Sequence, residues 1–239
     1  MTTRICLSGA SGAMGQAIQR LCQAGSRWSV VATCGQSDSE QVAADVLIDF
    51  SVPEQTERAV RLARERGMAL VVGTTGLDSD IQSLIEQAAA SLPVCQAANF
   101  SPGVAVIERL VVEAARLLGD DFDAEITETH HRRKRDAPSG TALALARTLL
   151  SARDNRGRLV TGGAREGADC GRKPGDIGVQ SVRGGDVIGE HAVRFLGEGE
   201  QLEIIHRAGS RDIFARGALL AAGALVGREP GLYRLEELL

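Results

Sequence analysis

Lysine is nearly missing from this chain: of 27 basic residues in 239, only Lys134 and Lys173 are lysine, and the rest are arginine. Cysteine occurs at Cys6, Cys22, Cys34, Cys95 and Cys170, but never as a Cys-x-x-Cys pair. That odd, widely spaced set indicates neither a disulfide framework nor a zinc site, so no metal is expected and a reducing cytoplasm is. No apolar run approaches the roughly 20 residues that cross a bilayer, and no basic stretch followed by an apolar core opens the chain. Membrane insertion and export are therefore not expected. A net charge of -4 withholds the broad positive field that a nucleic acid would need. Internal repeats, low-complexity tracts and heptad patterns are absent too. What is present is an ordinary globular composition, 44% hydrophobic and 24% charged, long enough for one large domain or two modest ones.

One stretch is dense in polar chemistry: Glu128-Thr129-His130-His131-Arg132-Arg133-Lys134-Arg135-Asp136-Ala137-Pro138-Ser139-Gly140-Thr141-Ala142. Residues 123–129 before it alternate like a strand, and residues 141–150 after it have helix-forming composition. Pro138 and Gly140 mark the change of period, with Ser139 or Thr141 as the helix N-cap. Backbone N–H groups at that helix start face the same space as His130, His131 and Lys134, which makes a site for an anion such as a carboxylate. A basic run of this kind also suits a solvated loop or a nucleic-acid patch. The acidic net charge argues against the patch. A lysine kept inside an arginine-rich cluster argues for a task that needs a compact ammonium or a proton donor. The stretch is read as an active site.

Ahead of it, a strand at 4–8 runs into Gly9-Ala10-Ser11-Gly12-Ala13-Met14-Gly15 and a helix at 16–24. Strand, glycine turn and helix is the setting for a dinucleotide pyrophosphate, although GxxGxxG is less specific than GxGxxG and also fits a plain tight turn. Strands at 29–34, 46–50, 69–72 and 94–98 alternate with helices at 54–66 and 78–90, which predicts a doubly wound parallel sheet. Loops 9–15, 73–76 and 97–101, at the carboxyl ends of its strands, should line the cofactor crevice. The acid that usually holds the adenosine ribose is absent or displaced to Asp38 in Cys34-Gly35-Gln36-Ser37-Asp38. Gln36 and Ser37 would tolerate a 2′-phosphate, so NADH and NADPH both stay open. Further on come a helix at 104–118, a long Gly- and Arg-rich loop at 153–176, and strands at 177–183, 187–195 and 202–206 that suggest a meander. An apolar helix at 213–226 is expected to pack back on the first domain.

These motifs resemble, over nearly the whole chain and in order, the dihydrodipicolinate reductase (4-hydroxy-tetrahydrodipicolinate reductase) family. The carriers are the glycine turn, Gly73-Thr-Thr-Gly76, Ala97-Ala-Asn-Phe-Ser101, the block 128–142, Arg183-Gly-Gly-Asp-Val-Ile-Gly-Glu-His191 and residues 211–222. The resemblance implies an α/β fold: a Rossmann-like doubly wound domain at 1–101 and 212–239, and a smaller α+β substrate and oligomerisation domain with a mixed open sheet at 102–211. It implies reduction of a cyclic dicarboxylate on the diaminopimelate route to lysine, by NADH or NADPH, in a homotetramer. Carried over by position, the cofactor contacts are Gly9, Ala10, Ser11, Gly12, Ala13, Met14, Gly73, Thr74, Thr75, Ala97, Ala98, Asn99 and Phe100. His130 is the implied proton donor and Lys134 a second donor or carboxylate contact. His131, Ser139, Gly140 and Thr141 are the implied substrate contacts. Two departures bear on the cofactor: Ala13 stands where the family often has arginine, and the segment between the second strand and Val46 is short. The competing readings are a nicotinamide oxidoreductase acting on another small acid, and an NAD(P) sensor without turnover.

Overall fold

The computed structural model describes residues 2–25, 27–34, 43–162, 165, 167–168 and 170–239. Gln36, Ser37 and Asp38, the residues read for the ribose, lie outside them. The chain runs β1 (Thr3–Ser8), α1 (Ala13–Gln23), β2 (Trp28–Cys34), β3 (Val46–Asp49), α2 (Pro53–Arg66), β4 (Ala69–Val72), α3 (Ser79–Ala89), β5 (Pro93–Gln96) and α4 (Pro102–Leu118). It continues with β6 (Asp123–His130), α5 (Gly140–Ala152), β7 (Arg158–Thr161), β8 (Asp176–Arg183), β9 (Gly189–Leu196), β10 (Gln201–Ala208), α6 (Asp212–Leu225) and β11 (Gly231–Tyr233). Two compact units result: Met1–Pro102 with Arg211–Leu239, and Gly103–Ser210.

The first unit holds a six-stranded sheet in the order β11-β5-β4-β3-β1-β2, with every pairing parallel. Residues 46–49 and 69–72 are wholly buried and apolar but for Asp49, because helices cover both faces and no alternation is needed. Leu47, Leu70, Val72 and Val94 pack under α2 and α3. On the opposite face α6 lies along β3, β4 and β5 and against α1, so the last long helix does return to the first sheet. Pro53 opens α2, and Gly67, at φ 66°, closes it. Asp78 caps α3 by accepting from the N–H groups of Asp80 and Ile81. The first helix starts earlier than its sequence pattern suggested, at Ala13.

In the second unit the order is β10-β9-β6-β8-β7. The pairings of β6 with β8 and of β7 with β8 are parallel, and those of β9 with β6 and with β10 are antiparallel. Ile107 and Val111 of α4 and Leu145 and Leu149 of α5 cover one face, over Ile126, Val179, Val193 and Phe195. Two expectations are corrected here. Residues 153–176 are not one loop, since 158–161 form an edge strand, short enough to be masked by the flanking Gly and Arg. Nor are the later strands a meander: β6 lies between β8 and β9. Their connection passes over the end of β6, where Gly184 N–H donates to the His130 carbonyl (2.9 Å) and Arg132 N–H to the Gly185 carbonyl (3.2 Å). Among the described residues no helix is long and apolar enough to cross a membrane.

Candidate active site

The three loops expected to hold a cofactor meet at Phe50, directly after β3. Gly9 sits at φ 79°, and a Cβ there would lie 2.0 Å from the Phe50 carbonyl oxygen. At Gly73 a Cβ would fall 2.1 Å from the Phe50 ring, and the Phe100 ring packs edge-on against the same ring at 5.5 Å. Gly15 is equally confined, 2.3 Å from the Gly9 carbonyl. Gly12 is different: it is the exposed N-cap of α1, with no side-chain cap and only ordinary contact at 3.4 Å. The turn therefore needs glycine at 9 and 15 for its own geometry, and leaves Ser11, Gly12 and Ala13 exposed at a helix start. Ala98 and Thr75 are exposed as well, whereas Phe100 is buried. The Thr74 hydroxyl serves the fold: it donates to Asp49 (2.7 Å) and accepts from Ser51 N–H (2.9 Å). Asp49, fully buried, also accepts from Thr56 (2.6 Å) and ties the ends of β3 and β4 together.

The second cluster forms where the covered face of the mixed sheet turns polar. Along β6 the buried positions read Ala124, Ile126, Glu128, His130. In register beside them, β8 changes from Ile177 and Val179 to Ser181 and Arg183, and β9 from Phe195 and Val193 to His191 and Gly189. Glu128, fully buried, receives both Arg183 Nη atoms (2.7 and 2.9 Å), the Ser139 backbone N–H (3.2 Å) and His130 Nδ1. Arg183 also donates to the Asp136 carbonyl (2.7 Å), holding down the loop that carries Lys134. Lys134 Nζ lies 2.8 Å from the exposed Asp136 carboxylate. A Cβ at Gly189 would stand 3.1 Å from His130 Nε2, so a residue without a side chain keeps room at that nitrogen.

Ser139 proves to be the N-cap of α5: its hydroxyl accepts from Ala142 N–H (3.2 Å) and bonds His191 Nε2 (3.1 Å). Its buried side chain thus completes the helix start, and Gly140, exposed with open space at its α-carbon, begins the helix. His131 follows β6, partly buried, with its backbone carbonyl accepting from Lys134 N–H (3.0 Å). His130, Ser139 and the head of α5 are thus assembled around one carboxylate, and Arg183 links to it the loop that carries Lys134.

Electrostatics follow from that arrangement. Burial pushes the Glu128 carboxyl up, but hydrogen bonds from Arg183, Ser181 and His130 outweigh it and bring it to about 2. Burial lowers His130; Glu128 opposes the fall, and Lys134 and Arg183 add to it. Burial, with His130 second, brings His191 down to about 4, so it is neutral near pH 7. Glu128, Arg183 and His191 carried no assigned role in the sequence reading. The phase of β6 is the signal that could have singled out Glu128, because it falls in the buried register of Ala124 and Ile126.

Residues 3–100 match the profile of the dihydrodipicolinate reductase N-terminus and residues 103–239 that of its C-terminus. A 4-hydroxy-tetrahydrodipicolinate reductase of Anaeromyxobacter sp. (strain Fw109-5) is 50% identical over 198 residues, covering 82% of this chain and 73% of that one. One of the same name from Stenotrophomonas maltophilia (strain R551-3) is 43% identical, covering 99% and 97%. Among solved structures, the dipicolinate-bound dihydrodipicolinate reductase of Paenisporosarcina sp. TG-14 superimposes with a TM-score of 0.80 at 25% identity, over the full length of both chains. An engineered D-amino acid dehydrogenase bound to NADP+, at 14% identity and a TM-score of 0.54, shares the fold. The chain belongs to the dihydrodipicolinate reductase family.

Proposed function

We propose that this chain reduces 4-hydroxy-tetrahydrodipicolinate to tetrahydrodipicolinate with a nicotinamide cofactor, the 4-hydroxyl leaving as water, on the diaminopimelate route to lysine. The observation that carries the reading is His130, an imidazole with Nδ1 on a buried carboxylate, beside Lys134 and an open helix start. A dicarboxylate needs such a place, and the reductase named for the Paenisporosarcina structure holds dipicolinate. The first unit fits a dinucleotide: the backbone at Gly9 and Gly15 has no room for a Cβ, and the uncapped head of α1 presents N–H groups and a favourable dipole to phosphates. Residues 9–14, 73–75 and 97–100 would hold it.

A bound reduced nicotinamide supplies the hydride. The chain's own residues supply the proton and neutralise charge. His130 takes up a proton at Nε2 and releases it to the substrate, with Nδ1–H kept on Glu128. The Lys134–Asp136 pair has an exposed carboxylate, and pairs of that kind contribute only about 0–1 kcal/mol, so Lys134 can exchange Asp136 for a substrate carboxylate at small cost. Gly140 and Thr141, at the first positions of α5, receive a carboxylate through the helix start, and His131 completes the set. A homotetramer, a cytoplasmic location and the use of NADPH as well as NADH belong to the same proposal. The test is loss of NADPH absorbance at 340 nm with freshly generated substrate. Substrate-dependent turnover is expected; nucleotide binding without it would favour a sensor.

A further inference from the structure

We infer that Glu128 is a positioning residue, whose buried carboxylate decides which nitrogen of His130 carries the resident proton and ties that ring to the head of α5 and to Arg183. The inference rests on the reading of His130 as the proton donor. An ionised carboxylate can only accept hydrogen bonds. Its contact with His130 Nδ1 therefore requires hydrogen on Nδ1, leaving Nε2 as the position that gains and loses a proton. Glu128 is fully buried, away from bulk solvent.

Both oxygens are committed. Oε1 takes Ser139 N–H and one Arg183 nitrogen, and Oε2 takes the other Arg183 nitrogen and His130. One side chain thus joins the proton donor, the residue that caps the anion-binding helix, and, through the Arg183 bond to the Asp136 carbonyl, the loop that carries Lys134. Isolated burial of such a carboxylate would be costly, and the bidentate guanidinium keeps it charged. The charged and titratable groups facing His130 are Glu128 on β6, Lys134 on the following loop, Arg183 on β8 and His191 on β9, whose ring centroid is 5.2 Å away. Of these, Glu128 alone holds the imidazolium form up; Lys134 and Arg183 press it down.

Glu128→Gln isolates the role. The amide oxygen can still accept from Ser139 N–H and one Arg183 nitrogen, while the amide nitrogen places a donor where Nδ1–H and the other Arg183 nitrogen were received, so the tautomer, which an altered Arg183 contact does not set, is the deciding reading. Nitrogen-15 NMR of histidine side chains should find neutral His130 protonated at Nδ1 in the unsubstituted protein and at Nε2 in the variant. In turnover, kcat should fall by about 10²–10⁴-fold with little change in KM, as when a general acid is held in the wrong tautomer. The limb of the pH profile that reports His130 should move to lower pH, since two cations remain and the anion is gone. An Nε2–H tautomer in the unsubstituted protein would overturn the inference, and that measurement stands even where the variant does not fold. A variant that loses only thermal stability, with tautomer, pH limb and kcat kept, would overturn it too. The NMR readings need no substrate, so a chain without reductase activity whose tautomer switches as described would sink the proposed reaction and leave the role of Glu128 standing.

Discussion

His130 and Lys134 stand a few residues apart and are held in different ways, which sets what each substitution should do. His130 is locked on a buried carboxylate, so His130→Gln removes the titrating nitrogen without changing charge at neutral pH; kcat is expected to drop by about 10²–10⁴-fold while KM for the dicarboxylate changes little. Lys134→Arg keeps the charge but replaces a compact ammonium with a planar fork, and should also be strongly impaired. If the run were a solvated loop, both variants would be near wild type and any effect would fade with salt. The pH dependence has a definite sign. A histidine with a lowered pKa is mostly neutral near pH 7, so kcat/KM, which reports the free enzyme, should rise on acidification with its limb below the ordinary histidine value. A bound dicarboxylate brings negative charge and restores the proton, so the limb in kcat should lie at higher pH than the limb in kcat/KM. At this scale the sequence displays the chemical groups openly, because His130, His131, Lys134 and the Ser139–Thr141 turn are contiguous. It conceals Arg183 and His191, which reach the site only through the pairing of β8 and β9 with β6.

At the scale of elements, the glycine turn and β9 make contrasting predictions. Gly12 has an extended conformation, φ -73°, and room for a side chain, so Gly12→Val should leave the circular dichroism spectrum unchanged while abolishing nucleotide binding by calorimetry. Unaltered affinity would show that phosphates do not approach this helix start. Gly15→Ala, by contrast, forces a Cβ against the Gly9 carbonyl and should destabilise the fold itself. On β9, His191 is buried and neutral with a pKa of about 4. Its folded value lies below its unfolded one, so the unfolded chain binds more protons between about pH 6.5 and 4. Stability should therefore fall with pH across that window, by roughly 3 kcal/mol from this residue, and His191→Asn should flatten the slope in denaturant titrations. A parallel sheet with both faces covered announces itself as apolar runs, which is why β3 and β4 were readable. The crossing of the β8–β9 connection over β6 was not, since nothing local distinguishes that path from a hairpin. The edge strands β7 and β11, four and three residues long, carry too little pattern to stand out from turns.

For the whole molecule, nucleotide preference and the number of copies that associate each rest on a surface. The ribose acid is absent from its usual place or displaced to Asp38, so NADPH should be accepted at least as well as NADH; a strong bias in kcat/KM towards NADH would overturn this expectation. Association is argued from the second sheet. Its inner face is sealed by α4 and α5, while on the outer face Val182 is 47% exposed and lies on the same side as Thr127 and the ion pair of Arg194 with Glu203. Arg165 and Arg172 pair with Glu125 at one end of that side, and a sheet face that mixes apolar and paired polar groups suits contact with a second copy. A tetramer of 25.2 kDa chains should give about 100 kDa by light scattering. Val182→Glu places a charge on the outer face, opposite the face that carries Glu128 and His130, and keeps the backbone carbonyl that accepts from Arg183 (2.7 Å), so it should lower the mass towards dimer or monomer and leave the far-ultraviolet circular dichroism unchanged. A mass of about 25 kDa for the unsubstituted protein at micromolar concentration, or an intact tetramer in the variant, would remove the outer face of this sheet as the site of assembly.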